Sequence, residues 1–257
     1  PVSTTHSIVG GVMGAGIAAN GWMAVNWSSM GAIAASWVIS QVTGGIIAAG
    51  LYLLLKRTVF FRVDILEAAK KMVPLMIALM AWAFGTYLAM KGLKHVVKLS
   101  FIQCVLIGLA TAVAAYFWIR PRIAAKIPSL KQTRDDVNSL FTVPLIFAAA
   151  LLSFAHGAND VANAIGPLAG IFQALTVADL TSKAPIPMWI MLVGALGIAL
   201  GLALYGPKLI RTVGSEITEL DRTRAFCIAL SAALTVIVAS QLGLPVSSTH
   251  VALGAVF

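Results

Sequence analysis

Pro1-Val2-Ser3-Thr4-Thr5-His6 stands at one end of the sequence, and Pro245-Val246-Ser247-Ser248-Thr249-His250 stands near the other. Five of the six positions are identical and the sixth exchanges Thr for Ser. Past the motif, Ile8–Val12 matches Ala252–Val256 only loosely. An apolar chain produces three- or four-residue matches by chance. A match that carries Pro, three hydroxyls and His is much harder to reach that way, so we read an internal repeat. What kind of repeat it is depends on the residues between the copies.

Those residues are apolar to a degree that excludes a water-soluble domain. Of 257 residues 60% are hydrophobic and 11% charged, with a mean hydropathy of +0.94, where a soluble domain carries about a quarter charged residues. Asp, Glu, Lys and Arg are absent from 1–55, 72–90, 99–119, 184–207 and 225–257. A helix needs about 20 apolar residues to cross a bilayer, so the fold class is an all-α polytopic membrane protein. A cytosolic enzyme, a nucleic-acid reader and a disulfide scaffold are excluded. Cys104 and Cys227 both sit in or beside apolar stretches with no C-x-x-C neighbour, and read as inert buried thiols. The first residues have no basic region before an apolar one, so they do not form a signal peptide, and without an initiator Met the chain reads as cut from something longer.

Five long apolar elements are expected at Ser29–Leu55, Val73–Met90, Leu99–Ile119, Val137–Ala178 and Pro187–Gly206, with apolar terminal segments at His6–Ala19 and Ala225–Leu242. The fourth is too long for one straight span and contains Gly157, Gly166, Pro167 and Gly170, which predicts a helix that breaks and restarts. If it makes one net crossing, loops 56–72, 120–136 and 207–224 hold fourteen Lys and Arg against four in 20–28, 91–98 and 179–186. Two crossings would give eleven against seven. The positive-inside rule selects the first and places the basic loops in the cytoplasm. The net charge of +9 is thereby a matter of sidedness and not of a polyanionic partner.

Five crossings between the repeat copies, an odd number, put them in opposite orientations. Inverted repeats with polar, helix-breaking segments are a signature of secondary transporters. Pro frees backbone groups from helical pairing, and irregular backbone survives at membrane depth only inside protein or along a watery cavity. The hydroxyls of Ser3, Thr4, Thr5, Ser247, Ser248 and Thr249, with the amides of a helix N-terminus, are suitable donors to an oxyanion. The competing reading is that they only cap the helices that follow.

Asp160 is the only Asp, Glu, Lys or Arg between residues 137 and 178, and an intramembrane acid is by default a functional-site candidate. Asn159 and Asn163 are four apart and Asp160 and Asn163 three apart, so one helical face can carry all three. Their oxygens suit a sodium ion, the carboxylate alternatively a proton, and the amide N–H groups an oxyanion. The plainer reading is a polar cluster tying helices together. His6, His156 and His250 border the motifs but read as hydrogen-bonded bundle residues, and Gln41, Gln103 and Gln241 as interhelical glue.

Gly157-Ala158-Asn159-Asp160-Val161-Ala162-Asn163-Ala164 resembles the signature of the inorganic phosphate transporter family, and the two Pro-Val-Ser-x-Thr-His segments are similar to its hairpin-tip motifs. The resemblance implies an inverted-repeat secondary transporter with broken helices and re-entrant hairpins. It implies sodium- or proton-coupled symport of inorganic phosphate in a bacterial inner (plasma) membrane, by a homodimer with no cofactor. Residues 1–136 would then finish the first repeat and its connecting helices, and 137–257 form the second, truncated after its hairpin tip. Asn159, Asp160 and Asn163 match the cation site, with sodium on Asp160 and Asn163. The two Asn and the six hydroxyls match the phosphate site. The family's first signature copy would lie ahead of Pro1, so half of the cation site is expected outside this chain, which should not transport by itself. The rivals are a sulfate permease of the same fold, an intramembrane hydrolase, for which no G-x-S-x-G or H-E-x-x-H occurs, and a passive channel.

Overall fold

A computed structural model describes residues 3–92, 99–177, 186–212 and 220–256. Pro1 and Val2 of the first motif, and parts of loops 91–98, 179–186 and 207–224, lie outside the described residues. Among these there are nine α-helices and no strand: α1 (Thr4–Asn20), α2 (Trp27–Leu55), α3 (Ile65–Tyr87), α4 (Phe101–Lys126), α5 (Arg134–Leu140), α6 (Thr142–Val177), α7 (Met188–Thr212), α8 (Arg222–Gln241) and α9 (Ser248–Val256). Six of them, α2, α3, α4, α6, α7 and α8, are long and apolar enough to cross a membrane. The apolar segment expected at Ala225–Leu242 is thus a helix of spanning length in its own right, so that among the described residues six such helices, not the five expected, lie between the two motif copies.

Helix boundaries follow capping chemistry more closely than apolarity. α3 begins eight residues before the apolar run at Val73, because the Asp64 carboxylate accepts from the Glu67 amide at 3.0 Å. Gln132 closes the same end: its Oε1 accepts from the amides of Ile65 and Leu66, and its Nε2 donates to Asp64 Oδ1 at 2.8 Å. The Gln132 hydrogen bond, then that from Glu67, hold the Asp64 carboxyl below the usual aspartate range. Its contribution to stability is present above that range and is lost as the pH falls through the lower value it has in the fold. Gln103, expected as interhelical glue, instead completes a capping box with Ser100 at the start of α4.

The break expected among the glycines of the fourth element is not there. α6 is continuous from Thr142 to Val177 with Pro167 inside it, and the interruption falls at Phe141, between α5 and α6. Pro167 removes one amide donor, which an apolar helix in a bundle tolerates. The glycines permit a bend without requiring one.

The helices fall into two compact units, one of residues 1–45, 153–220 and 235–257 and one of 46–152 and 221–234. This is a division by packing, separate from the repeat boundary expected at 136/137. In the second unit α3 and α4 cross closely, since a Cβ on Gly108 would lie 2.7 Å from the Trp82 carbonyl oxygen and 2.9 Å from the Thr86 amide. Thr111 Oγ1 donates across the crossing to Ala81 O at 3.0 Å. Small residues at such crossings let backbones approach where lipid supplies no hydrophobic drive. In this unit Gln132 bonds to Asp64 and Thr223 to Asn138, and Lys56, Arg134 and Asp221, one from each loop that the charge count puts on one side, line one cavity.

Gly108→Ala is expected to destabilise the protein by about 1–3 kcal/mol, as overpacking does, and to lower the melting temperature in detergent. Gly50→Ala, where an added Cβ meets nothing within 4 Å, should not. Equal melting temperatures would show that the α3–α4 crossing is looser than described.

Candidate functional site

The site lies in the first unit, and its geometry begins with how α8 stops. Gly243 has φ +70°, a left-handed conformation that favours glycine. Its amide donates to Ser240 O at 3.4 Å and the Leu244 amide donates to Ala239 O at 3.1 Å, the paired bonds of a Schellman ending. The chain then runs outside any helix through Pro245 and Val246 before α9 begins at Ser248. α9 lies against α2 at glycine distance: a Cβ on Gly45 would stand 2.8 Å from the Gly254 carbonyl oxygen, and one on Gly254 2.5 Å from that of Gln41.

A non-helical segment inside a bundle leaves carbonyls that no helix satisfies. Side chains from three helices supply the donors. Trp37 Nε1 of α2 donates to Pro245 O at 2.9 Å. Asn159 Nδ2 of α6 donates to Val246 O at 2.9 Å, and Thr5 Oγ1 of α1 donates to the same oxygen at 3.3 Å. Asn163 Nδ2 donates in turn to Thr5 Oγ1 at 3.1 Å. The first motif, the second motif and the Asn face of α6 therefore meet at one carbonyl. Asn159, Thr5, Ser3, Ser247 and Ser248 are all buried.

The two motif copies also have the same local structure. Ser3 Oγ accepts from the His6 amide and Ser247 Oγ from the His250 amide, each at 3.3 Å. Ser7 N donates to Ser3 O at 3.1 Å and Val251 N to Ser247 O at 3.0 Å. Capping, the plainer of the two sequence readings, is what Ser3 and Ser247 do here. It leaves the first amides of α1 and α9, those of Thr4, Thr5, Ser248 and Thr249, without helical acceptors. Two positive helix ends thus open on the same cluster. His6 and His250 stack with ring centroids 4.8 Å apart, and His6 packs on Trp37 at 3.9 Å.

Asp160 is 12% exposed and its carboxylate is engaged at both oxygens. Oδ2 lies 2.9 Å from His156 Nε2, while Oδ1 accepts from Asn159 Nδ2 at 3.1 Å and from Ser248 Oγ at 3.4 Å. With both Asn nitrogens donating, their Oδ1 atoms have no donor among the described residues. A carboxylate, two amide oxygens and a serine hydroxyl form a hard-oxygen donor set of the kind a sodium ion takes. Among the described residues no three His, Cys, Asp or Glu side chains converge as a soft or borderline metal would need.

Thr4 is exposed and Thr249 half-buried, and neither hydroxyl joins the cluster. Gln241 is exposed too. Trp37 is the participant that the sequence did not disclose. The signal that could have found it is the set of polar residues around it in α2, since Ser36 and Ser40, like Trp37 and Gln41, stand four apart on a helix.

The architecture is that of a helical membrane protein, with the polar cluster carried by helices of its first unit. The sequence profile of the phosphate transporter family matches residues 1–257, and the chain belongs to that family. A Helicobacter pylori protein provisionally named a phosphate permease is 56% identical across the whole chain, which spans 49% of that relative. One from Thermococcus kodakarensis, named in the same provisional way, is 40% identical across the whole chain, which spans 62% of it. A solved structure titled the sodium-dependent phosphate transporter superposes with a TM-score of 0.89 at 37% identity, covering 99% of this chain and 63% of that one. The chain thus spans 49–63% of the length of these proteins. The family is one of transporters, which removes the hydrolase alternative.

Asn159→Ala should cost about 1–3 kcal/mol, the penalty of leaving the buried Val246 carbonyl with one weak donor, measured by thermal unfolding in detergent. Thr5→Val combined with Asn163→Leu should cost less than the sum of the single changes, because each single change leaves a partner unsatisfied. Simple additivity would mean that the two side chains do not interact.

Proposed function

We propose that this chain is part of a sodium-coupled symporter of inorganic phosphate that works by alternating access. The observation that carries the reading is the meeting of both Pro-Val-Ser-x-Thr-His copies with the Asn159–Asp160–Asn163 face at the Val246 carbonyl. The titles of the relatives and of the solved structure support phosphate and sodium over sulfate and protons. The bacterial inner membrane, with the basic loops in the cytoplasm, and a homodimer belong to the same proposal. So does the division into repeats at 1–136 and 137–257.

In this reading sodium binds to Asp160 and the amide oxygens of Asn159 and Asn163, with Ser248 beside it. His156 now holds Asp160 Oδ2 and yields that oxygen when the cation enters. Phosphate lies against the free amides at the starts of α1 and α9, with Thr5 and Ser248 as the hydroxyls closest to hand. Two positive helix ends and a bound sodium make the anion's entry favourable, and the anion in turn stabilises the sodium. Coupling follows because each charge is poorly stabilised without the other in a site of low dielectric. Residues beyond this chain complete the site in the full-length protein.

The test is uptake of labelled phosphate by full-length protein in liposomes under an inward sodium gradient, an inward proton gradient or neither, with and without excess sulfate. Sodium-driven uptake insensitive to sulfate is expected. Proton-driven uptake would overturn the choice of cation, strong suppression by sulfate the choice of anion, and uptake that never exceeds the equilibrium distribution would indicate a channel. Asp160→Asn is expected to abolish gradient-driven uptake while the protein still inserts. Normal uptake by that variant would remove Asp160 from the mechanism.

A further inference from the structure

Lys56, Arg134 and Arg224 line one cavity in the second unit, together with Tyr52, Phe60, Asn138 and Asp221. Its volume is about 60 Å³, room for several waters and hence for the head of a tetrahedral oxyanion. The transport site uses none of these residues.

The lining is almost entirely donors. Asp221, the single carboxylate, is already committed: its Oδ1 accepts from the Arg224 amide at 2.7 Å, and its Oδ2 lies 3.5 Å from Arg224 Nε. Asn138 Oδ1 is taken by Thr223 Oγ1 at 2.5 Å, which leaves its Nδ2 hydrogens. Arg224 Nε also reaches the Tyr52 hydroxyl at 3.5 Å, and the Tyr52 hydroxyl hydrogen remains. Lys56 rests over the Phe61 ring at 5.3 Å, and neither Lys56 nor Arg134 has a carboxylate partner among the described residues. Three cations against one engaged carboxylate leave a net positive cavity. A ligand that fits must carry negative charge and accept several hydrogen bonds while donating few.

Position narrows the ligand further. Lys56 is the first charged residue after the apolar α2, Arg224 lies in the first turn of α8, and Arg134 opens the short helix that leads into α6. Each belongs to a loop that the charge count assigns to the cytoplasm. The cavity thus sits where spans end, at the depth of phospholipid headgroups, and basic pockets there bind such headgroups. Arginine forks match phosphate oxygens two at a time.

We infer that this cavity is a second binding site, distinct from the transport site, for a phosphate group at the cytoplasmic end of the helices. Two sources carry that chemistry, an anionic lipid headgroup and free inorganic phosphate, and both meet this surface. The inference does not depend on the transport reading.

The test uses full-length protein in detergent, unaltered or carrying Lys56→Gln, Lys56→Gln with Arg134→Gln, or Arg62→Gln. Arg62 lies in the same basic loop as Lys56 but outside the cavity. In one arm native mass spectrometry counts retained phosphatidylglycerol against phosphatidylcholine. In the other, equilibrium dialysis counts labelled inorganic phosphate bound per chain. Binding at this site is expected to weaken on the order of tenfold for Lys56→Gln and further for the double variant, in line with losing hydrogen bonds to charged groups. Arg62→Gln should bind as the unaltered protein does. Loss confined to phosphatidylglycerol identifies a lipid site, and loss of one bound inorganic phosphate identifies a free-phosphate site. Unchanged binding in both arms, or equal loss in Arg62→Gln, overturns the proposal. Lys56→Gln removes a side chain with no hydrogen-bond partner among the described residues, so it keeps the test decisive even if the double variant folds poorly.

Discussion

The oxygen of Val246 has to be satisfied without help from a helix, and this constraint organises the first unit. Pro245 cannot donate and the chain on either side of it is outside any helix, so the carbonyls of the hairpin tip face the interior of a bundle unpaired. At membrane depth an unpaired carbonyl costs several kcal/mol. Asn159 and Thr5 meet that cost from two different helices, and Trp37 does the same for Pro245 from a third. The donors are therefore fixed in place by the backbone they serve. Asn159 in turn positions Asp160, to which it also donates. The proposed cation site and the helix-breaking segment in this way share one hydrogen-bond network, and a movement of that segment would alter the partners of the acid.

The same network gives the repeated motif its physical sense. Ser3 and Ser247 are spent on capping, and that is what frees the next amides of each helix for something else. Had those hydroxyls been the anion's ligands, the caps would have had to come from elsewhere. The motif thus divides its labour: the first Ser shapes the helix start, Thr5 and Ser248 reach the α6 cluster, and Thr4 stays outside. Six equivalent hydroxyls is a misleading description of what the sequence places there.

How much was legible in the sequence depended on whether a residue's role left a mark at short range. Asp160 stood out because a charge in an apolar run is expensive, and the Asn pair because helical spacing puts four-apart residues on one face. The motif stood out because it occurs twice. Trp37 left only a fainter mark, the four-apart polar residues around it in α2, and nothing at short range shows that its N–H reaches a carbonyl 208 residues away. Helix ends misled where capping extended a helix past its apolar stretch, as Asp64 and Gln132 do for α3. The expected break in α6 failed for a related reason. Gly and Pro lower the cost of breaking a helix, but a break also exposes backbone groups that need partners, and around Gly157–Gly170 the side-chain amides serve the hairpin tip and not a gap in their own helix.

That allocation bears on how a transporter of this kind moves. A continuous α6 presents Asn159, Asp160 and Asn163 as one rigid face, whereas the motif residues Thr5, Val246 and Ser248 are held to it by hydrogen bonds of 2.9–3.4 Å. The compliant part of the site is accordingly the tips. Opening either tip breaks bonds to α6 that water or an arriving ion can replace, without disturbing the helix that carries the acid. Asp160 is already served by His156 and Ser248, so its charge is not left bare while the site is changing hands. In the mechanism proposed above, an arriving sodium would compete with existing partners instead of filling an unsatisfied acid, which would limit its affinity and favour its release. A site that must both bind and let go is better built from replaceable hydrogen bonds than from the strongest ligands available.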